Sequence, residues 1–506
     1  MGHTWNRLGL LAVAGVVAGC GGGSGGDGGG SAAVCPAGGN VTAKSASVET
    51  PVQAESLRQT AGTSASALQP RLVQPVSARA IALGDLAQAK VAAVKPLLAQ
   101  QGVPQQIGLP RDVAATGTVA ATRALLQWQA TATGGQVAAI SIDSGLAVGL
   151  RLGVLVKSLP ASATLRVYAQ GAAKAYTIAA QDVLDNLARN RAAGDTSDAG
   201  RTYWAPMVEG AEATLEIELP AQVSTAGVEI AIPSVSHLFS SPLTVAKAGN
   251  VAKAAVGSCE VDTACDPSYA TESNSVARMS FVKSGIAFVC TGTLVNDASG
   301  SGTPYFLGAN HCISTQSEAS TLETWWFYRA TSCAGPTLDA KATTRIGGAT
   351  LLYASASTDT SFMRLADSPP TGAVFAGWSV ATPTLGAAAA SLHFPQGSWQ
   401  SISTGAIKSF LSCTSLSANS LDFSCSATSQ AAGNFVNAQF TSGSTETGSS
   451  GAPLFASIGS GHYLVGQLYG GSSSCSNPSG SNAYGRFDVA YNAALGRWLA
   501  PSGSCP

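Results

Sequence analysis

The chain has 506 residues, more than one ordinary hydrophobic core organises, so two or three domains are expected. Its 27 basic and 28 acidic residues nearly cancel and make up only 11% of the chain, which excludes a basic nucleic-acid-binding surface and an acidic tail. Many small residues and few charges, with 57 glycines, suit an exported β-rich protein better than a cytosolic helical one.

The N-terminus reads as an export signal. Arg7 supplies a positive start, Leu8 to Val17 an apolar run too short to span a bilayer, and Val17-Ala18-Gly19-Cys20 a small-residue end. Those last four residues resemble a bacterial lipobox, which implies cleavage before Cys20 and lipidation of its thiol, so residues 1–20 are expected to be a lipoprotein signal peptide. Gly21 after the cysteine points to the outer membrane or cell surface. "GGGSGGDGGGS" follows as a flexible tether, and residues 21–78, rich in Gly, Ser, Ala, Pro and Gln, read as linker. Residues 79 to 101 are expected to form a helix interrupted near Pro96. The runs "QVAAISID", "GLRLGVLVK", "ATLRVYAQ", "ATLEIELP" and "GVEIAIPSVSHLF" alternate apolar and polar residues between turns, and "AQDVLDNLARNRA" reads as one inserted helix. Residues 79–250 are therefore expected to be a β-sandwich-like N-terminal domain. Its one histidine, His237, reads as a packed or surface residue.

From "AVGSCEVDTAC" onward cysteines appear and strands shorten, the pattern of a barrel-like all-β domain closed by a helix at "FDVAYNAALGRWLAP". An exported protein lies in an oxidising compartment, so its cysteines are expected in disulfides. Neither zinc-finger nor EF-hand spacing occurs, so no metal and no cofactor is expected.

"TETGSSGAPLF" places two serines between glycines just ahead of an apolar strand. A serine hydroxyl becomes a nucleophile only beside a base, for which histidine is the usual choice. His3 lies in the signal and His237 in the other domain. Of the rest, His311 follows an apolar strand and precedes Cys312, whereas His393 and His462 read as surface or strand residues. Asp359 stands at the mouth of an apolar strand, where a carboxylate must be hydrogen-bonded. Asp339, Asp367 and Glu446 read as solvated turn residues, and Trp325-Trp326-Phe327-Tyr328 as core packing.

"GTLVNDASGSGTPYFLGANHC", "TDTSFMRL" and "GSSGAPLF", in that order, resemble the trypsin-like serine peptidases of the chymotrypsin fold. The lysyl endopeptidase-like branch is the nearest, because "GSCEVDTAC", "WWFYRATSC", "HFPQGSWQSIS" and "GQLYGGSSSCS…YGRF" also correspond to it. The resemblance implies an all-β fold, a chymotrypsin-like double β-barrel protease domain over residues 254–500 behind the β-sandwich-like domain. It implies Ser450 as nucleophile, His311 as general base and then acid, Asp359 as its orienter, and the N–H groups of Gly448 and Ser450 as oxyanion donors. Ser449 stands where mammalian members carry the aspartate that pairs with a freed N-terminus. Ser444 and Asn482 stand at the two positions where relatives place a basic-selective acid, so lysine selectivity is not carried over. Tyr469 and Gly470 fall on the substrate-pairing strand.

The same correspondence implies disulfides Cys259–Cys475, Cys265–Cys333 and Cys290–Cys312. Cys413 and Cys425 bracket a short loop as a fourth pair, and Cys35 with Cys505 remains by elimination. Lys253 precedes the segment where mature relatives begin, so a cleavage there would release the N-terminal domain as a propeptide; otherwise it is a permanent spacer. The expectation is an exported, lipid-anchored, monomeric serine endopeptidase acting on protein or peptide substrates, released after processing. The alternative is a catalytically silent protease-like surface lipoprotein acting as a binding module.

Overall fold

The computed structural model describes residues 51–57, 68–70, 76–87, 90–91, 104–240, 257–415 and 423–501. The signal, Cys20, the glycine tether, Pro96, Lys253, Cys35 and Cys505 lie outside the described residues. Among the described residues no helix is long and apolar enough to cross a membrane.

Alternation builds the N-terminal domain. In the strand Glu212–Leu219, Ala213, Leu215, Ile217 and Leu219 enter the core, while Glu216 on the opposite face accepts from Arg166 and from the Tyr168 hydroxyl. Its neighbours Gln136–Gly145 and Thr164–Tyr168 belong to one seven-stranded sheet. Gly149–Ser158 and Glu229–Leu238 lead a five-stranded sheet, and Leu152, Val154 and Ile230 from it meet Ile140 and Leu215 in one shared core. The helix Ala180–Ala192 falls on the stretch read as helical.

Two expectations change here. Ala78–Asp85 is a strand, not the start of a helix: it lies parallel to Gln136–Gly145, and Ile81 and Leu83 pack on the sandwich core. A backbone edge offering a ladder and a core face outweighs the helix propensity of an Ala/Leu-rich segment. Within the stretch read as linker, Glu55–Ser56 pairs with Val374–Phe375 and Leu68–Pro70 with Lys174–Tyr176, so that stretch contributes sheet edges.

The C-terminal half contains two barrels. The first is built from Val276–Lys283, Ile286–Val295, Tyr305–Ala309, Thr360–Leu365 and Ala349–Ser355, with Glu323–Trp326 alongside. In the second, Ser401–Ser415, Ala388–His393, Pro453–Ile458, Gly461–Gly471, Asn482–Arg486 and Phe435–Ser442 pair in turn, and the last pairs back to the first, closing the ring. This is the all-β, chymotrypsin-like double-barrel fold, with a helical segment from Phe487 to Leu499 at its end. Four disulfides, Cys259–Cys475, Cys265–Cys333, Cys290–Cys312 and Cys413–Cys425, match the implied pairings.

The N-terminal domain docks on the first barrel through buried polar contacts. Arg151 donates to the carbonyls of Ala205 and Thr321 and lies 3.3 Å from Glu323, whose Oε1 also accepts the Met207 N–H. Asn186 donates to Ser320 O and Arg189 to Gly347 O.

Candidate active site

Register brings the acid to the base. Tyr305–Ala309 pairs with Thr360–Leu365 so that Ala309 lies opposite Thr360, which puts Asn310 and His311 beside Asp359. The Asn310 N–H donates to Asp359 O at 2.9 Å. The Asp359 carboxylate accepts twice from His311, from its backbone N–H at 2.9 Å and from Nδ1 at 2.7 Å. Nδ1 therefore carries the proton, and Nε2 is the free basic position. Asp359 takes φ 49°, left-handed backbone that aspartate tolerates better than bulkier residues. Burial pushes its carboxyl up, against the pull of the imidazole and of the backbone N–H groups. Gln467, from the second barrel, donates to Thr358 O and Thr360 Oγ1 on either side of Asp359. Sequence reasoning passed over this cross-barrel strut.

Ser450 comes from the second barrel. It sits in the turn ahead of Pro453–Ile458 and is almost fully buried. Its carbonyl accepts the Thr291 N–H at 2.8 Å and lies 4.0 Å from Cys312 Sγ, so the serine stands next to the bridge that follows His311. His311 Nε2 is buried and makes no hydrogen bond, to Ser450 or to any other group among the described residues. Such bonds commonly tighten only when substrate is present. The glycines around the serine are required: at Gly451, φ 83°, a Cβ would lie 2.4 Å from Thr291 O, and at Gly448, φ 88°, it would press on Phe394 O at 2.9 Å.

Ser444 and Asn482 are both fully buried and belong to one polar cluster. Ser444 Oγ meets Ser473 Oγ at 2.8 Å, Thr445 Oγ1 donates to Asn482 Oδ1 at 2.6 Å, and Asn482 Nδ2 donates to Ala438 O. Every group in this cluster is neutral. The Tyr469 ring centroid lies 5.8 Å from that of His311 and 3.9 Å from that of Phe423, and Gly470 pairs with Ala483.

Of the two readings given to His393, surface or strand, the structure shows the strand: Ala388–His393 ends under the serine turn, where His393 is fully buried and touches Ser449. Two residues depart from expectation. Glu446 is partly buried and accepts from Gln396 Nε2. Asp339 pairs with Arg329 rather than standing alone in solvent. His462 stacks on Tyr269, away from the site.

Residues 254–486 match the family model described as lysyl endopeptidase, C-terminal domain, and residues 82–239 match that described as lysyl endopeptidase N-terminal domain. The lysyl endopeptidase of Pseudomonas aeruginosa is 30% identical over 429 residues, covering 81% of this chain and 85% of its own. A secreted RxLR effector protein of Plasmopara viticola is 36% identical over 96 residues, 18% of this chain and 23% of its own. Among solved structures, the active form of a protease from M. tuberculosis is 12% identical at a TM-score of 0.32, covering 48% of this chain and 88% of that one. With both halves matched in order and a relative aligned along most of its length, the chain belongs to the lysyl endopeptidase family of serine proteases.

Proposed function

We propose that the protein is an exported serine endopeptidase, made as a latent precursor, that cleaves peptide bonds through an acyl-enzyme on Ser450. The observation that carries this reading is the double grip of Asp359 on His311, on a ring whose neighbour Cys312 touches the Ser450 backbone. His311 takes the Ser450 proton at Nε2 as Oγ attacks the carbonyl carbon, and the N–H groups of Gly448 and Ser450 receive the oxyanion. The imidazolium, stabilised by Asp359, then returns the proton to the leaving amine. Water, deprotonated at the same nitrogen, releases the acyl group.

Latency has its own support. Gln105–Gln106 pairs antiparallel with Phe288–Val289, on the strand that runs on to Cys290 and Thr291. The Ile107 N–H donates to Ala287 O, and Gln105 Oε1 accepts from the Thr447 hydroxyl at 2.5 Å, three residues before the serine. Pro104, the next residue toward the site, is buried. The N-terminal domain thus holds a sheet edge that an extended substrate would use. Fluorophosphonate labelling tests both parts: the intact chain stays unlabelled, the chain cut after Lys253 labels, and Ser450→Ala abolishes the label. A cut wild-type chain that never labels would favour the silent binding module.

We infer that the residue before the scissile bond is held without an ion pair, because the two positions where relatives place an acid, Ser444 and Asn482, carry no carboxylate and sit in a neutral cluster. Asn482→Asp is expected to shift a peptide-library profile toward Lys and Arg by about tenfold or more, the scale of a charge-assisted hydrogen bond. A wild-type profile already dominated by those residues would refute the inference.

A further inference from the structure

One buried histidine has no part in the mechanism just given. His393 closes its strand inside the second barrel, fully buried, with Nδ1 2.9 Å from Ser449 Oγ and Nε2 2.9 Å from Ser403 Oγ. Ser449 immediately precedes the nucleophile, and its Oγ also accepts the Glu446 N–H at 3.3 Å. A neutral ring carries one N–H, so it donates to one of these two serine hydroxyls and accepts from the other. The residues after the histidine hold the same turn. The Gln396 N–H, in left-handed backbone at φ 51°, donates to Thr447 O at 2.6 Å, and the Phe394 carbonyl lies where a side chain on Gly448 would begin. Thr291 Oγ1 joins the two segments, accepting from Phe394 N–H and donating to Gly448 O.

We propose that His393 is a positioning residue that fixes the turn Glu446–Ser450 from beneath, through Ser449, and so sets the direction of the Gly448 and Ser450 N–H donors. The inference rests on the peptidase reading and adds to it a residue that touches neither substrate nor nucleophile. The geometry explains why the prop is placed here. Glycine has two accessible backbone basins, so the planes on either side of Gly448 must be held from outside: Gln396 N–H holds the Thr447–Gly448 peptide, which carries the Gly448 N–H, and the contacts of Ser449 hold the peptides that follow. Ser449 is held at both ends: its own N–H donates to Glu446 O at 3.0 Å, its carbonyl accepts from Ala452 N–H, and its hydroxyl is locked by the imidazole. These contacts exist in the intact chain, so the prop is assembled before any cleavage. It is also uncharged. Burial holds the His393 imidazole neutral down to about 3, and the Glu260 carboxyl, 4.0 Å away, is pushed well up by burial.

The test compares wild type, Ser449→Ala, His393→Ala and His393→Gln, each cut after Lys253 and counted by active-site titration. Ser449→Ala and His393→Ala are expected to lower kcat per titrated site about tenfold to a hundredfold, up to the scale of losing one oxyanion donor, with KM nearly unchanged. The affinity of a peptide aldehyde, whose adduct places an oxyanion in the same spot, should fall by the same factor. His393→Gln, which can still bridge two hydroxyls, should recover most of both. Unchanged kcat per site with only a lower Tm would reduce His393 to packing and overturn the proposal. So would a rise in KM at constant kcat. If His393→Ala does not fold, Ser449→Ala decides, since it removes a single oxygen. A wild-type chain without Ser450-dependent turnover would overturn the peptidase reading and this inference with it; an active wild type with insensitive variants would overturn the inference alone.

Discussion

The two halves of the chain are held together by different means. From residue 36 to residue 258 there is no cysteine, and the N-terminal domain relies on one apolar core and on carboxylate–arginine contacts such as Arg166 with Glu216 and Glu218. Among the described residues the protease half carries four disulfides, and two bear directly on the site. Cys290–Cys312 ties the strand facing the serine to the residue after His311, and Cys259–Cys475 ties the start of the domain to the loop beyond Ser473. Cross-links act on the unfolded chain and persist whatever else is lost, whereas a core and its ion pairs vanish once the domain opens. Under the precursor reading this is the distribution a temporary and a lasting part call for. On that reading, a part to be discarded can be opened, and a part meant to work outside the cell cannot.

The comparison is most exposed at Cys290–Cys312. Replacing both cysteines by Ala should cost about 2–4 kcal/mol of protease stability. Because the bridge positions His311, it should also cost on the order of a hundredfold in kcat, as expected for a base displaced by about 1 Å. Urea unfolding and peptide turnover measure the two effects. Full activity in the double variant would mean that the bridge serves durability alone. Next in size is the docking charge. Arg151 and Glu323 are both almost fully buried, and burial pushes the Glu323 carboxyl up against the pull of Arg151. Arg151→Ala should destabilise the docked precursor by about 3–5 kcal/mol, while Arg151→Met with Glu323→Leu should restore most of it. Thermal melts of the intact chain, read with the rate of N-terminal domain release after cutting, check this. A third change sharpens the contrast from the other side. Leu215→Ala should remove about 2–5 kcal/mol from the N-terminal core and leave kcat of the cut enzyme untouched. Any loss of turnover there would show that the N-terminal domain shapes the finished site.

How much of this was legible in the sequence follows from the range of the interactions. Ala213, Leu215, Ile217 and Leu219 announce a half-buried strand within eight residues, and the structure places a strand there. His311 and Asp359 are 48 residues apart, yet each carries a local cue, a strand end and a cysteine for one and an apolar strand mouth for the other. His393 carries no such cue. Its partner Ser449 is 56 residues away, and the short Ala-rich strand that ends in it shows no clear alternation, so only the closed barrel shows that this position points inward. Gln467, 109 residues from Thr358, is hidden for the same reason. At Ala78–Asp85 local propensity pointed to a helix, and a parallel neighbour supplied from Gln136–Gly145 prevailed. Residues whose role is fixed by one distant contact leave no period to read.

The smallest expected effect concerns Glu260, next to Cys259 and so at the cross-linked end of the protease half. Both its carboxyl oxygens are buried without a hydrogen bond among the described residues, and burial raises the group well above its ordinary value near 4.5, with Glu446 adding to the rise. The sign follows from proton counting. Above 4.5 the unfolded chain gives up this proton while the fold retains it, so the fold binds more protons and stability falls as pH rises toward the folded value. Below 4.5 both states are protonated and the penalty vanishes. Glu260→Gln keeps the shape of the protonated carboxyl and cannot ionise. Its Tm should match wild type near pH 4 and exceed it at pH 8, with kcat unchanged because the His393–Ser449 contact is kept. A variant less stable than wild type at pH 8 would mean that Glu260 is ionised and paired in the fold. The neutrality of the cluster beneath the serine turn would then be lost, and with it the contrast between a charged docking face and an uncharged prop under the site.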